Sequence, residues 1–227
     1  MKKTLKPVTW YHPGIGGIIF DMDGVLFDTE KDSIPLIISI GAEMGFTITR
    51  EFVIQNMGRN MAEESVIYRA HLGDRFDADF FWTRYWELRN KKYDREGMPV
   101  KEGAMKLLIT AREKTLPCVV ASSSPSEQVV RALKKAGVYE YFSGVVGGEM
   151  FERSKPEPDI FLAASRIIHL PPEQCLIIED SLNGMKAASA TGGLVVFVKD
   201  IPSDPDELLK EYAHYSFDSA EEIKELL

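Results

Sequence analysis

Short apolar runs punctuate the chain, and the stretches between them carry apolar residues at helical spacing. Four runs lie in the second half, LPCVVAS, SGVVGG, QCLIIED and GLVVFVKD, and a fifth, GIIFDMD, lies near the start. Their density in Val and Ile, without a polar residue at every second position, predicts strands covered on both faces. About five such strands, alternating with helices from about residue 100 onward, predict a parallel sheet joined by crossover helices. Helix starts are legible as well. Ser124-Pro125-Ser126-Glu127 reads as a capping box with proline in the first turn, and Asp204-Pro205-Asp206-Glu207 and Ser219-Ala220-Glu221-Glu222 repeat the scheme.

Between about residues 30 and 98 helical periodicity continues without a strand, and aromatics crowd FDADFFWTRYWELRNKKYD. Phe81, Tyr85 and Leu88 fall on one helical stripe and Trp82 and Trp86 on a neighbouring one, which reads as the core of a small bundle rather than a ligand box. The expected architecture is therefore α/β. A Rossmann-like parallel sheet flanked by helices takes residues 1–28 and 100–227, and an inserted α-helical cap takes 29–99. Light glycine and proline punctuation puts linkers near residues 28 to 32 and 97 to 101.

A chain of 227 residues that is 44% hydrophobic has enough apolar material for a real core. Its 35 acidic and 27 basic residues leave a net charge of -8, which offers no general attraction to nucleic acid or to an anionic membrane. The opening MKKTLKPVTWYHPGIGG lacks the apolar centre of a signal peptide, and no later run reaches membrane-spanning length, so a cytoplasmic protein is expected. A monomer is the default, although no motif speaks to oligomeric state. Cys118 and Cys175 sit in apolar runs and read as buried thiols rather than a disulfide or metal pair.

The candidate chemistry lies at strand ends. IIFDMDGVLFD sets Asp21 and Asp23 two residues apart directly behind an apolar run. Aspartates before glycine often serve a turn by accepting backbone N–H groups. A calcium loop of the EF-hand kind needs glycine sixth and glutamate twelfth, whereas here glycine comes fourth and Val25 and Phe27 stand where ligands belong. In an open parallel sheet, ligands bind beyond the carboxyl ends of the strands, which is where the two aspartates lie. Three other segments carry fitting groups: the hydroxyls of VVASSSP, Glu179 and Asp180 of LIIEDS, and Lys155 of RSKPEPDIF. Ser124 also has a dull explanation as a helix N-cap, as do Asp180 and Ser181 before LNGMKAASA. Lys155 opposes a helix macrodipole, so its expected purpose is to meet an anion. Four carboxylates converging on one locus repel one another unless a cation lies among them. Oxygen donors alone select a hard ion, magnesium first. A hydroxyl and a lysine beside that ion suit a phosphoryl group, so a phosphate ester is the expected substrate.

In order along the chain, DMDGVLFDTE, ASSS, SKPEPDIF and IIEDSLNGMKAA resemble the motifs of the haloacid dehalogenase superfamily. The resemblance is to its phosphatase and β-phosphoglucomutase-like branch, in which a helical cap follows the first motif. Each piece alone is modest evidence, but four in order, spanning nearly the whole chain, are specific. The resemblance implies that Asp21 is a nucleophile that takes the phosphoryl group. Asp23 would protonate the leaving oxygen and later activate water. Magnesium would fall to Asp21, the backbone carbonyl of Asp23, Asp180, and Glu179 directly or through water. Ser122 and Lys155 would grip the phosphate, with backbone N–H groups near Gly24 and Ser123 assisting.

The expected activity is thus a magnesium-dependent phosphatase of a small phosphorylated metabolite, a sugar phosphate by preference. A sugar phosphomutase is the alternative. The β-phosphoglucomutase pattern reads aspartate, threonine, alanine, two residues, then histidine; here Asp28-Thr29-Glu30-Lys31-Asp32-Ser33 puts Ser33 in the histidine's place, which argues against mutase chemistry. A receiver-type signalling module is also phosphorylated on aspartate, but its acceptor closes a middle strand and no helical lid follows. The cap is expected to select the substrate. Its contact loop would be NMGRN, with Gly58 for the turn and Arg59 and Asn60 as contacts, joined by Thr29 from the first linker. A solvated arginine is the bland alternative for Arg59. Arg89, Lys91 and Lys92 rank after these.

Overall fold

The computed structural model describes residues 3–4, 14–200 and 211–227. The helix start expected at residues 204–207 lies outside the described residues. One sheet contains β1 (Lys3–Thr4), β2 (Gly17–Phe20), β3 (Cys118–Ser122), β4 (Gly144–Gly147), β5 (Cys175–Glu179), β6 (Leu194–Val198) and β7 (Tyr215–Phe217). Its order is β1-β7-β6-β5-β2-β3-β4. β2 to β7 run parallel, and β1 joins β7 antiparallel. The five strands expected from the apolar runs are β2 to β6. β7 escapes sequence reading because it is only the tripeptide YSF.

Alternation of side chains across the pleat divides the core into two layers. Ile18 and Phe20, Val120, Leu176 and Ile178, and Val196 face one side, where they pack on α5 (Glu102–Glu113), α6 (Ser126–Lys135) and the C-terminal 3₁₀ turn Ala220–Leu226. Ile19, Val119, Ile177 and Val195 face the other, against α7 (Asp159–Ile167) and α8 (Leu182–Ala190). Helices on both faces explain why these runs show no polar alternation. Both cysteines are free and buried, and burial pushes the Cys118 thiol up to about 12 and Cys175 up to about 11.

Between β2 and α5 come α1 (Glu30–Glu43), α2 (Arg50–Asn56), α3 (Met61–Leu72) and α4 (Ala78–Glu96). These four share a separate core of Ile34, Ile40, Tyr68, Phe76 and Phe81. Tyr68, Phe76 and Phe81 meet with ring centroids 5.3–5.9 Å apart, and such contacts add about 0.5–1.5 kcal/mol each beyond area burial. The segments entering and leaving this layer run side by side, with Asp28 N–H donating to Pro99 O at 2.9 Å and Lys101 N–H to Leu26 O at 2.9 Å. Among the described residues no helix is long and apolar enough to cross a membrane.

Candidate active site

β2 lies between β3 and β5, so the ends of three neighbouring strands deliver Asp21, Ser122, Glu179 and Asp180 to one crevice. Lys155 completes it from the loop before α7. Its Nζ donates to Asp21 Oδ1 and Glu179 Oε1, both at 2.5 Å, with the lysine only 2% exposed. Burial disfavours an ammonium ion, yet Asp21 and Glu179 outweigh it and hold the Lys155 pKa above the ordinary value. Among the described residues, no donor reaches Asp21 Oδ2. Burial is the main cause that pushes Asp21 up to about 8, against the pull of Lys155.

Glu179 is fully buried, and both of its carboxylate oxygens accept hydrogen bonds. Besides Lys155, it accepts from Asp180 N–H, Ser181 N–H and Ser181 Oγ at 3.0–3.1 Å. A β-carbon at Gly184 would lie 1.9 Å from the Glu179 carboxyl, so glycine in α8 is what lets that side chain lie there. Ser181 in turn caps α8, accepting from Gly184 N–H at 3.0 Å. Expected beside a metal ion, Glu179 is engaged here as the anchor of Lys155.

Asp23 is bound by three elements. Thr29 Oγ1 at 2.5 Å and Arg89 Nη2 at 2.8 Å both donate to its Oδ1, and Ser124 Oγ donates to Oδ2 at 3.2 Å. Two of these donors forgo a local role. Thr29 precedes α1 without capping it, and Ser124, expected as the N-cap of α6, caps nothing. The capping box there is a misreading, because Ser124 turns to Asp23 and Glu149 takes the Ser126 N–H at 3.0 Å instead. Each unmade cap forgoes about 1 kcal/mol of helix stability. Arg89 is 3% exposed, with its guanidinium 5.1 Å from the Trp86 ring and 5.3 Å from the Tyr93 ring.

Gly24 adopts φ +82°, and a β-carbon there would lie 2.0 Å from Asp180 Oδ2. Its N–H, expected near a phosphate, donates to Phe27 O at 2.9 Å, and its carbonyl accepts from Lys101. Asp180 stands beside it with Glu30 and Asp200. Among the described residues this is the one group of three metal-ligating side chains whose donor atoms all lie within 4.8 Å of one another. Lys101 pairs with Asp200 Oδ1, while among the described residues Asp200 Oδ2 is buried without a partner and no donor reaches the Glu30 or Asp180 carboxylates. Burial, then mutual repulsion, raises the pKa of both Glu30 and Asp180. Converging carboxylate oxygens with few hydrogen bonds of their own, whose charge the protein alone leaves costly, are the environment that a hard divalent cation suits. Glu30 and Asp200 escaped the sequence reading, although Asp200 ends an apolar run as Asp21 does.

The α1–α4 layer is seated on this crevice. Ser123 Oγ donates to Gly58 O at 2.7 Å and Asn183 Nδ2 to Met57 O at 3.0 Å, with Gly58 at φ +83°. Asn60 caps α3 and donates to Gly148 O and Phe151 O at 3.4 and 3.3 Å, so it joins the two layers. Glu63 accepts from Ser154 N–H at 2.8 Å, Ser154 Oγ at 2.5 Å and Arg59 Nη1 at 3.2 Å. Ser122 Oγ accepts from Ser124 N–H at 3.1 Å and faces the cavity. That cavity is also lined by Asp21, Asp23, Arg59 and Ser123, and by Trp82, Tyr85 and Trp86. The aromatics expected as bundle core therefore also form a wall of the site. Lys91 and Lys92 do not line it.

Comparison with known proteins bears on the family and the fold. A protein of Arabidopsis thaliana named SUPPRESSOR OF QUENCHING 1, chloroplastic, is 34% identical over 84% of this chain, which spans 18% of that relative's length. A phosphorylated carbohydrates phosphatase of Thermotoga maritima is 27% identical over 77% of this chain and 81% of its own. The fold is that of a β-phosphoglucomutase from Clostridium difficile, with a TM-score of 0.79, 21% identity and coverage of 92% of this chain and 93% of the other. The sequence profile of the haloacid dehalogenase-like hydrolases matches residues 18–198, the span from β2 to β6 that delivers Asp21, Lys155 and Asp180. The chain belongs to that family of hydrolases.

Proposed function

We propose that the protein is a magnesium-dependent phosphatase of a small phosphorylated metabolite, a sugar phosphate in kind, acting through an aspartyl-phosphate. The observation that carries this reading is the split in Asp21: Lys155 holds Oδ1, and Oδ2 is left without a donor at the cavity. Oδ2 would attack phosphorus as the bond to the leaving alcohol breaks. Ser122 and Ser123 would steady the phosphoryl oxygens. Asp23, clamped through Oδ1 by Thr29 and Arg89 and touched at Oδ2 by Ser124, would give a proton from Oδ2 to the leaving oxygen. The same oxygen would then accept one from the water that cleaves the aspartyl-phosphate. Asp180 and Asp21 would hold the metal with the backbone carbonyl of Asp23, and Glu30 and Asp200 stand by it. When bound, the ion supplies positive charge against the phosphoryl oxygens and these carboxylates. The name of the Thermotoga relative supports a sugar phosphate.

Ser33 speaks against the mutase. Its hydroxyl is engaged with Thr29 O at 3.1 Å and Tyr85 Oη at 2.9 Å, and it has no titration near neutral pH to hold Asp23 back until a sugar arrives. The test supplies β-glucose 1-phosphate with a trace of the 1,6-bisphosphate, beside a panel of phosphate esters. Phosphate released faster than glucose 6-phosphate forms is the expected result. Isomerisation far outrunning release would overturn it.

A further inference from the structure

The helical side of the cavity contains a carboxyl for which the proposed chemistry has no use. Glu64 lies on α3 one turn beyond Met61 and lines the cavity with Trp82, Tyr85 and Trp86. The polar atoms of these aromatics are already satisfied. Trp82 Nε1 donates to Ser65 Oγ at 3.0 Å, Trp86 Nε1 to the Met61 sulfur at 3.1 Å, and Tyr85 Oη pairs with Ser33. They offer ring surface, not hydrogen bonds. Glu64 meets no donor among the described residues, in contrast to Glu63, which is tied down by Ser154 and Arg59. Arg59 Nε is likewise buried without an acceptor.

Resting on the phosphatase reading, we propose that Glu64 is the specificity-determining residue for the leaving alcohol, and that this alcohol is an uncharged polyhydroxylated group carrying no second phosphate. A hydroxyl is both donor and acceptor, so it can meet the unpartnered Glu64 carboxyl whether that group offers a proton or a lone pair. The carbon skeleton of a polyol packs its C–H surface on the indole faces. Burial pushes Glu64 up to about 8, with Arg59 opposing, so the carboxyl carries a proton to donate at neutral pH.

A second phosphate finds no comparable welcome. Among the described residues Arg59 is the one cation lining this cavity, and its Nη1 pairs with Glu63. Lys155 and Arg89 are committed to Asp21, Glu179 and Asp23. A distal phosphate would instead enter a lining in which the acidic residues Asp21, Asp23, Glu30 and Asp180 outnumber that single arginine. A cationic alcohol meets the positive charge of Arg59 beside Glu64.

The test measures kcat/KM of the full chain with magnesium on sorbitol 6-phosphate, p-nitrophenyl phosphate, phosphocholine and fructose 1,6-bisphosphate. Sorbitol 6-phosphate should exceed each of the others by about tenfold or more, and Glu64→Gln should cut that lead by about tenfold, chiefly through KM. A lead for phosphocholine or the bisphosphate overturns the inference, as does an equal loss on every ester in a variant with an unchanged melting temperature. Absence of turnover on all four would count against the phosphatase reading instead. The leaving-group inference is then decided by calorimetry on Asp21→Asn protein. Sorbitol 6-phosphate binding about tenfold tighter than inorganic phosphate, with the gain lost on adding Glu64→Gln, supports it. Equal binding overturns it.

Discussion

Arg89 Nη2 and Asp23 Oδ1 meet at 2.8 Å, and the pair joins the α1–α4 layer to the end of β2. The arginine is buried, with its guanidinium within cation–π reach of the Trp86 and Tyr93 rings, which packs it in place. Asp23 therefore has its full set of partners only while the layer is seated. Arg89→Met should lower kcat by roughly 10–100-fold, a part of what a positioned proton-transfer group contributes. Arg89→Lys should recover only some of it. Steady-state kinetics on the best ester decides, and an unchanged kcat would show that Asp23 needs no such clamp.

Lys155 is the cation between two buried carboxylates, and among the described residues no other cation pairs with them. Removing one member of a buried charged set leaves the others uncompensated. Lys155→Met should destabilise the fold by roughly 3–5 kcal/mol, seen as a lower urea midpoint, and adding Glu179→Gln should return part of the loss. A midpoint unchanged by Lys155→Met would mean that this contact contributes nothing to folding.

Glu64 makes a prediction about alkaline stability. Its pKa rises from the ordinary 4.5 to about 8 in the folded chain. A carboxyl raised on folding is harmless below its unfolded value and costs stability progressively as pH climbs through the folded one. Wild-type protein should lose stability between those two values, and Glu64→Gln should be the more stable at pH 9 by on the order of 1–2 kcal/mol. Denaturation at pH 5 and pH 9 tests this, and equal pH dependence of the two proteins would refute it.

The sheet was legible because strands buried on both faces must be continuously apolar, as in β2, β3, β5 and β6. Asp21 was legible because it directly follows such a run, and Asp180 because it stands one residue beyond another. The partners of these residues were not. Glu179 and Asp180 adjoin at one strand end, and which of them turns to Lys155 depends on the missing β-carbon of Gly184. Ser124 before proline has the signature of a cap whether or not it caps. Arg89 looks like any helical arginine until the fold brings it to Asp23, 66 positions away in the chain.

Removal of divalent ions should abolish turnover. Asp180→Asn should raise the magnesium concentration needed for half-maximal activity by about tenfold or more. Thermal scans give an independent reading: magnesium should raise the wild-type melting temperature and raise that of the variant less. Calcium should stabilise the protein yet support little turnover, because its looser coordination does not hold reacting oxygens as tightly. Full activity in excess chelator would remove the metal from the account.

The central claim is that Asp21 Oδ2 becomes phosphorylated. Rapid acid quenching during turnover, followed by reduction of the acyl-phosphate with borohydride and peptide mapping, locates the modified residue. The account predicts label at Asp21, none in Asp21→Asn protein, and folding of that variant unchanged by circular dichroism. Label at Asp23 or any other residue, or turnover surviving Asp21→Asn, would contradict it.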